Sequence, residues 1–282
     1  MDGNSLILDN IYYAYPGRPD HPVFESLSAA IPLDKNMLIL GPNAAGKTTL
    51  ARILGGLDQP LKGGVLWPEP WKSFSRCAWK KPQAGVVFER AYFQFQTFTV
   101  REELTVGLFY RGATHEETQE ALRKAGDKLG MAPYFDRPLL ELEDSEQLAV
   151  LTASFILLEP RLLVLDFSLS RLEKWFRELM LDFCLEDGGP AVLVLSRLAD
   201  DLALIRAGSE MFILHRGIIE PVNRQIDDPD LVRCLSDEGI RLPWYAHLAA
   251  DLRRKGLMEK LFFEQDKEFI EKANTIIAGT NP

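Results

Sequence analysis

The chain has 282 residues, 46% of them hydrophobic, and a formal net charge of −9. That is enough apolar material for one large domain with an appendage, and the acidic balance, with no long basic block, argues against a broad nucleic-acid-binding face. Cys77, Cys184 and Cys234 are scattered, with neither metal-ligand spacing nor a disulfide framework, as expected of free thiols in a reducing cytosol.

The first residues, MDGNSLILDN, lack the charged start and apolar stretch of a signal peptide. Residues 5–8 and 23–33 predict short strands separated by Pro16, Gly17, Pro19 and Pro22. Leu38–Leu50 reads LILGPNAAGKTTL, an apolar strand followed by G-x-x-x-x-G-K-[ST] and a helix-forming segment over about 37–56. Such a loop turns its backbone N–H groups toward an anion at a helix N-terminus. Lys47 then reaches outer phosphates and the Thr48 hydroxyl ligates Mg²⁺.

Farther along, Ala84–Phe88 predicts a strand and roughly 100–158 a helical region. Leu162–Leu165 and Ala191–Leu195 read as buried strands flanking an amphipathic helix at Leu172–Leu185, and Met211–Leu214 begins a final hairpin through His215-Arg216-Gly217. Alternating strands and helices imply an α/β sheet with an inserted helical subdomain at about 95–158. Residues 1–220 form the expected nucleotide-binding domain, and residues 221–282, more polar and helix-rich, a C-terminal helical appendage. Glu159, Pro160 and Arg161 split the longest apolar stretch below membrane-spanning length.

These motifs, in this order, resemble an ABC-type ATPase over about residues 1–220. Phe88–Leu108 and the tail Asp228–Leu257 resemble in particular the ATP-binding subunits of energy-coupling-factor (ECF) transporters. The resemblance implies a P-loop NTPase fold and ATP and Mg²⁺ as cofactors. It also implies a second ABC ATPase subunit, a transmembrane coupling protein and a substrate-binding membrane component as partners, at the cytoplasmic face of the cell membrane. The family drives uptake of vitamins or of cobalt and nickel ions. The nucleotide-binding set so implied is Tyr15, Gly41, Pro42, Asn43, Ala44, Ala45, Gly46, Lys47, Thr48, Thr49 and Arg197. The metal-binding set is Thr48, Glu89 and Asp166.

Several working positions depart from the family pattern. Phe167 stands where active members carry a catalytic glutamate, and a phenyl ring can neither take a proton from water nor orient it. Arg197 replaces the switch histidine; it either touches a γ-phosphate or pairs with Asp200 or Asp201. Glu89 replaces the Q-loop glutamine. Gln94 matches the ECF pattern, and Tyr92, Phe93, Phe95 and Phe98 around it either receive coupling helices or pack beneath the loop. Leu142-Glu143-Asp144-Ser145-Glu146-Gln147 replaces the signature loop, with a capping box expected from Asp144 to Gln147, a poor phosphate clamp. Tyr15 matches the adenine-stacking aromatic, strand packing being its plainer role, and Ser168–Glu173 keeps the outline of the D-loop. The expectation is an ECF-type ATP-binding subunit with weak hydrolysis of its own, favouring a heterodimer with an intact partner. Its rivals are a non-hydrolysing regulatory subunit, an ATPase using Glu89 or Arg197 in an unorthodox role, and a soluble ABC protein of DNA repair or translation.

Overall fold

The computed structural model describes residues 4–68, 83–186, 188–197, 201, 209–222, 229–237, 239–240, 242 and 244–256, and elements are numbered within these. β1 (Ser5–Tyr13), β2 (Phe24–Pro32) and β4 (Lys62–Leu66) form an antiparallel sheet in the order β2-β1-β4. A second sheet runs β5-β6-β7-β3-β8-β9, from β3 (Met37–Leu40), β5 (Ala84–Phe88), β6 (Leu162–Asp166), β7 (Ala191–Ser196), β8 (Glu210–His215) and β9 (Ile218–Pro221). It is parallel apart from the β8–β9 hairpin.

The parallel strands read MLIL, LLVLD and AVLVLS because both of their faces are covered. Side chains alternate across a strand, and the two sides of the sheet fill two cores. Met37, Ile39, Leu162, Val164, Leu193 and Leu195 pack with the antiparallel sheet and α1 (Lys47–Leu54). Leu38, Leu40, Leu163, Leu165, Val192 and Val194 pack on the opposite side. There they meet α2 (Val100–Tyr110), α3 (His115–Lys128), α4 (Asp144–Leu157) and α5 (Lys174–Leu185). The predicted strands are found, with β1 extending to Tyr13, five residues beyond its expected end at 8. Its Ile11 and Tyr13 are buried and pair with Leu27 and Phe24 across a register irregularity.

Thr99 with Glu102 and Thr114 with Glu117 form capping boxes that open α2 and α3. The last described helices, α6 (Pro229–Asp237) and α7 (Trp244–Arg254), pack on one another. Their Val232, Leu235 and Ala250 join the same buried cluster as α2–α5. Cys77 lies outside the described residues. Cys184 is a buried free thiol, and burial pushes its pKa up to about 12.

Candidate functional site

The carboxyl ends of β3, β5, β6 and β7 meet at one edge of the parallel sheet: Phe88 pairs with Asp166, and Leu40 with Ser196. Loops leaving this edge enclose an open cavity of about 750 Å³. The crevice beyond the carboxyl ends of parallel strands is where open α/β sheets hold ligands.

Its floor is the loop between β3 and α1. Gly46 sits at φ 101°, and a Cβ there would lie 2.8 Å from the Phe24 ring. Gly41 donates its N–H to the Ser196 carbonyl at 3.1 Å, and a Cβ on it would meet the Leu214 carbonyl oxygen at 2.8 Å. Both glycines are therefore required by the packing around the turn. Gly46 is also the N-cap of α1, with no side-chain cap and no acidic residue in the first turn. The backbone N–H groups of this helix end are left for an anion.

Lys47 folds back, its Nζ donating to the carbonyls of Gly41 (2.8 Å) and Pro42 (2.7 Å). Burial, with the Arg197 cation nearby, holds its pKa below the usual lysine value, against the pull of Asp166. Asp166 is shifted the opposite way for the same reason. Burial, with Glu89 adding to it, raises its pKa above the ordinary carboxylate value, while the Thr48 hydroxyl donates to it and Lys47 opposes the rise. Burial thus disfavours the charged form of both groups. The oxygens of Thr48 and Asp166 form a hard-donor set of the kind Mg²⁺ takes.

Tyr15 follows β1, is 40% exposed, and hydrogen-bonds its hydroxyl to Thr49 at 2.9 Å. Its ring and that of Tyr13 meet edge to face at 5.2 Å, and Tyr15 lines the cavity. Tyr13 is the packing partner: it is buried, donates to Asp58 at 2.9 Å, and has its pKa pushed up to about 12 by burial and that carboxylate. Arg52 of α1 holds Asp58 from two nitrogens, at 2.7 and 2.9 Å, which lowers the Asp58 pKa and ties β1 to the P-loop helix.

The structure brings Tyr15, Asn43, Ala44, Gly46, Lys47, Thr48, Thr49, Glu89, Asp166, Phe167 and Arg197 to this cavity. Pro42 and Ala45 instead face a neighbouring hollow shared with His215–Ile218. Phe167 is only 4% exposed, its side chain a member of the core on the α2–α5 side of the sheet. Arg197 is exposed. The buried Asp201 carboxylate accepts from the hydroxyls of Ser168, at 2.8 Å, and Ser196; Asp200 lies outside the described residues.

One expectation requires correction. The cap of α4 is not Asp144 with Gln147. Glu143 is the N-cap, and Glu146 reaches back to accept its N–H at 2.9 Å. Arg137 pairs with Glu146 at 3.0 Å, and Gln147 donates to the Leu142 carbonyl at 3.1 Å. The box moves one residue because an anchored glutamate at the third helical position outcompetes the glutamine. Glu143, Asp144 and Glu146 still place three carboxylates at the start of this helix.

Gln94 accepts from the Phe88 N–H (2.7 Å) and donates to the Val86 carbonyl (2.9 Å), closing the loop onto β5 instead of entering the cavity. Phe95 packs on the core, but Tyr92, Phe93 and Phe98 are 49, 66 and 86% exposed. Arg18, His21 and Arg171 also line the cavity. Arg171 falls in the D-loop segment, but sequence reasoning gave Arg18 and His21 no role, because nothing in their spacing distinguishes them from ordinary loop residues.

A family model described as "ABC transporter" matches residues 24–168. An energy-coupling factor transporter ATP-binding protein EcfA1 of Lactobacillus delbrueckii subsp. bulgaricus is 23% identical over 274 residues, covering 96% of this chain and 97% of its own length. An EcfA protein of Methanothermobacter thermautotrophicus is 26% identical over 254 residues, covering 88% of this chain and 80% of its own. The solved structure of cbiO1 from Clostridium perfringens, described as part of the ABC transporter complex cbiONQ, shares the fold. Its TM-score is 0.64 at 21% identity, over 87% of this chain and 98% of that one.

Proposed function

This chain belongs to the ABC transporter family, and from that premise we propose that it is the ATP-binding subunit of an ECF-type importer whose own catalytic site is degenerate. One observation carries the reading: a single cavity joins an uncapped helix N-terminus, Lys47, the Thr48–Asp166 oxygens and the Tyr15 ring. That combination suits a nucleoside triphosphate. The P-loop N–H groups and Lys47 would take the phosphates, with Lys47 exchanging its two carbonyl partners for phosphate oxygens. Tyr15 would stack the adenine, its hydroxyl anchored by Thr49. Thr48 and Asp166, with Glu89 at the rim, would hold Mg²⁺, which supplies charge neutralisation on the phosphates.

Hydrolysis at this site is slow on this reading. Phe167 offers no base, and losing a general base costs roughly 10²–10⁴-fold in rate. Arg197, exposed at the end of β7, would contact the outer phosphate. Turnover then depends on a second ABC ATPase, so a heterodimer is favoured. Residues 1–220 serve as the nucleotide-binding domain, with a helical subdomain at about 95–158, and residues 221–282 as the appendage. The exposed Tyr92, Phe93 and Phe98 supply an aromatic surface for a membrane coupling protein. Among the described residues no helix is long and apolar enough to cross a membrane, so on this reading the subunit binds at the cytoplasmic face. The cargo, a vitamin or a transition-metal ion, is bound by a separate component.

Equilibrium dialysis with ATP and ADP, together with co-purification from native membranes, tests the proposal. The chain should retain both nucleotides, and Tyr15→Ala should weaken both alike by about 1–3 kcal/mol, the worth of base stacking on an aromatic ring. It should co-purify with a second ATPase and a membrane component. Recovery solely as a homodimer with no membrane component would favour a regulatory subunit that binds nucleotide without turnover.

A further inference from the structure

Three charged residues that lie far apart in sequence, in the segments that match the Q-loop, the signature loop and the D-loop, form one charge cluster. Arg171, in the loop after β6, donates from Nη1 to the Glu89 carboxylate at 2.5 Å, and its Nη2 lies 3.7 Å from the Asp144 carboxylate. Glu89 follows β5 at the rim of the cavity, and its charge helps raise the Asp166 pKa. Asp144 is the first residue of α4, in the helical subdomain. Arg171 itself lines the cavity. The bridge therefore joins the rim of the phosphate site to the first turn of α4 within one subunit.

We propose that Arg171 is a positioning residue that neutralises Glu89 at the cavity rim and fastens the start of α4 to it. Without Arg171, Glu89 would stand unpaired at the rim of the cavity and would repel an entering polyanion. With Arg171 in place the Glu89 charge is paired at the rim. Because the same guanidinium also lies within ion-pair range of Asp144, the state of the rim and the placement of α4 are linked, and such linkage is reciprocal. The Arg fork suits this task, presenting separate nitrogens to two carboxylates at once. The binding half of this inference rests on the nucleotide reading above. The structural half does not.

ATP in the presence of a chelator is the probe, so that Glu89 is not engaged by metal. Arg171→Ala should weaken ATP binding about three- to tenfold, the scale of a partly exposed ion pair acting beside a polyanion. In a Glu89→Gln background the same substitution should cost less than twofold. An undiminished loss there would mean that Arg171 meets the phosphates directly, and no loss in either background would mean that it does nothing at the rim; either result overturns the proposal. Hydrogen exchange on the nucleotide-free protein tests the other half. Arg171→Ala should speed exchange of the amides at 147–150 about two- to fivefold, with those of α3 unchanged. Unaltered exchange at the start of α4 overturns the link even if ATP binds normally. A wild-type chain that binds no ATP would refute the nucleotide reading and leave the bridge to be judged by exchange alone.

Discussion

At the N-terminus of α1, Gly46 supplies no side chain and the first turn carries no acid, whereas at the N-terminus of α4 Glu143, Asp144 and Glu146 crowd the same kind of backbone end. Both ends present N–H groups with no partner inside the helix ladder, and the positive pole of a helix. In α1 that pole is left for a ligand and backed by Lys47. In α4 it is consumed internally, by the bond from the Glu143 N–H to the Glu146 carboxylate and by the ion pair of Glu146 with Arg137. An end that binds pays for its openness in stability; an end that is capped gains stability and gives up binding. On the proposed reading, this contrast puts the phosphate chemistry in the P-loop and makes the α4 end a weak clamp for a partner's nucleotide.

The largest expected effect sharpens the binding side. Lys47→Ala should weaken ATP binding about ten- to hundredfold, since hydrogen bonds to charged groups are worth about 1.5–3 kcal/mol, while unfolding by denaturant changes little. Affinity by isothermal titration and stability by urea melts separate the two effects. A large loss of stability with unchanged affinity would break the comparison at α1.

The converse is expected at α4. Glu146→Ala removes the cap bond and the Arg137 pair, so it should destabilise the protein by about 0.5–2 kcal/mol, as lost caps do, and leave the chain's own ATP affinity intact. Urea melts of the variant read the loss. A fall in ATP affinity without a fall in stability would mean that the α4 end serves this subunit's own nucleotide.

The smallest effect concerns pH. The Asp166 pKa is raised in the folded chain, so the folded state holds that proton more tightly than the unfolded state does. Its contribution is present below the ordinary carboxylate range and is lost as pH rises through the raised value. Thermal melts of the nucleotide-free protein across that window should show wild type losing stability relative to Asp166→Asn as pH rises. Parallel profiles would mean that Lys47 and Thr48 fully offset the burial.

The sequence by itself determined the P-loop, the parallel strands and the helical insertion. Each rests on local rules: glycines at fixed offsets, apolar runs that demand two covered faces, and helical periodicity. It determined equally that Phe167 can supply no base, because that follows from side-chain chemistry alone. Three matters waited for the tertiary structure. Phe167 is a core side chain, so a glutamate placed there would be a buried carboxylate. The box at α4 belongs to Glu143 and Glu146, because Arg137 anchors the glutamate from a separate turn. Glu89, Asp144 and Arg171 form one cluster only because β5, β6 and the start of α4 converge at the same sheet edge. Residue types fix what a side chain can do. Long-range convergence decides which neighbour it does it with, and no spacing along a chain encodes that.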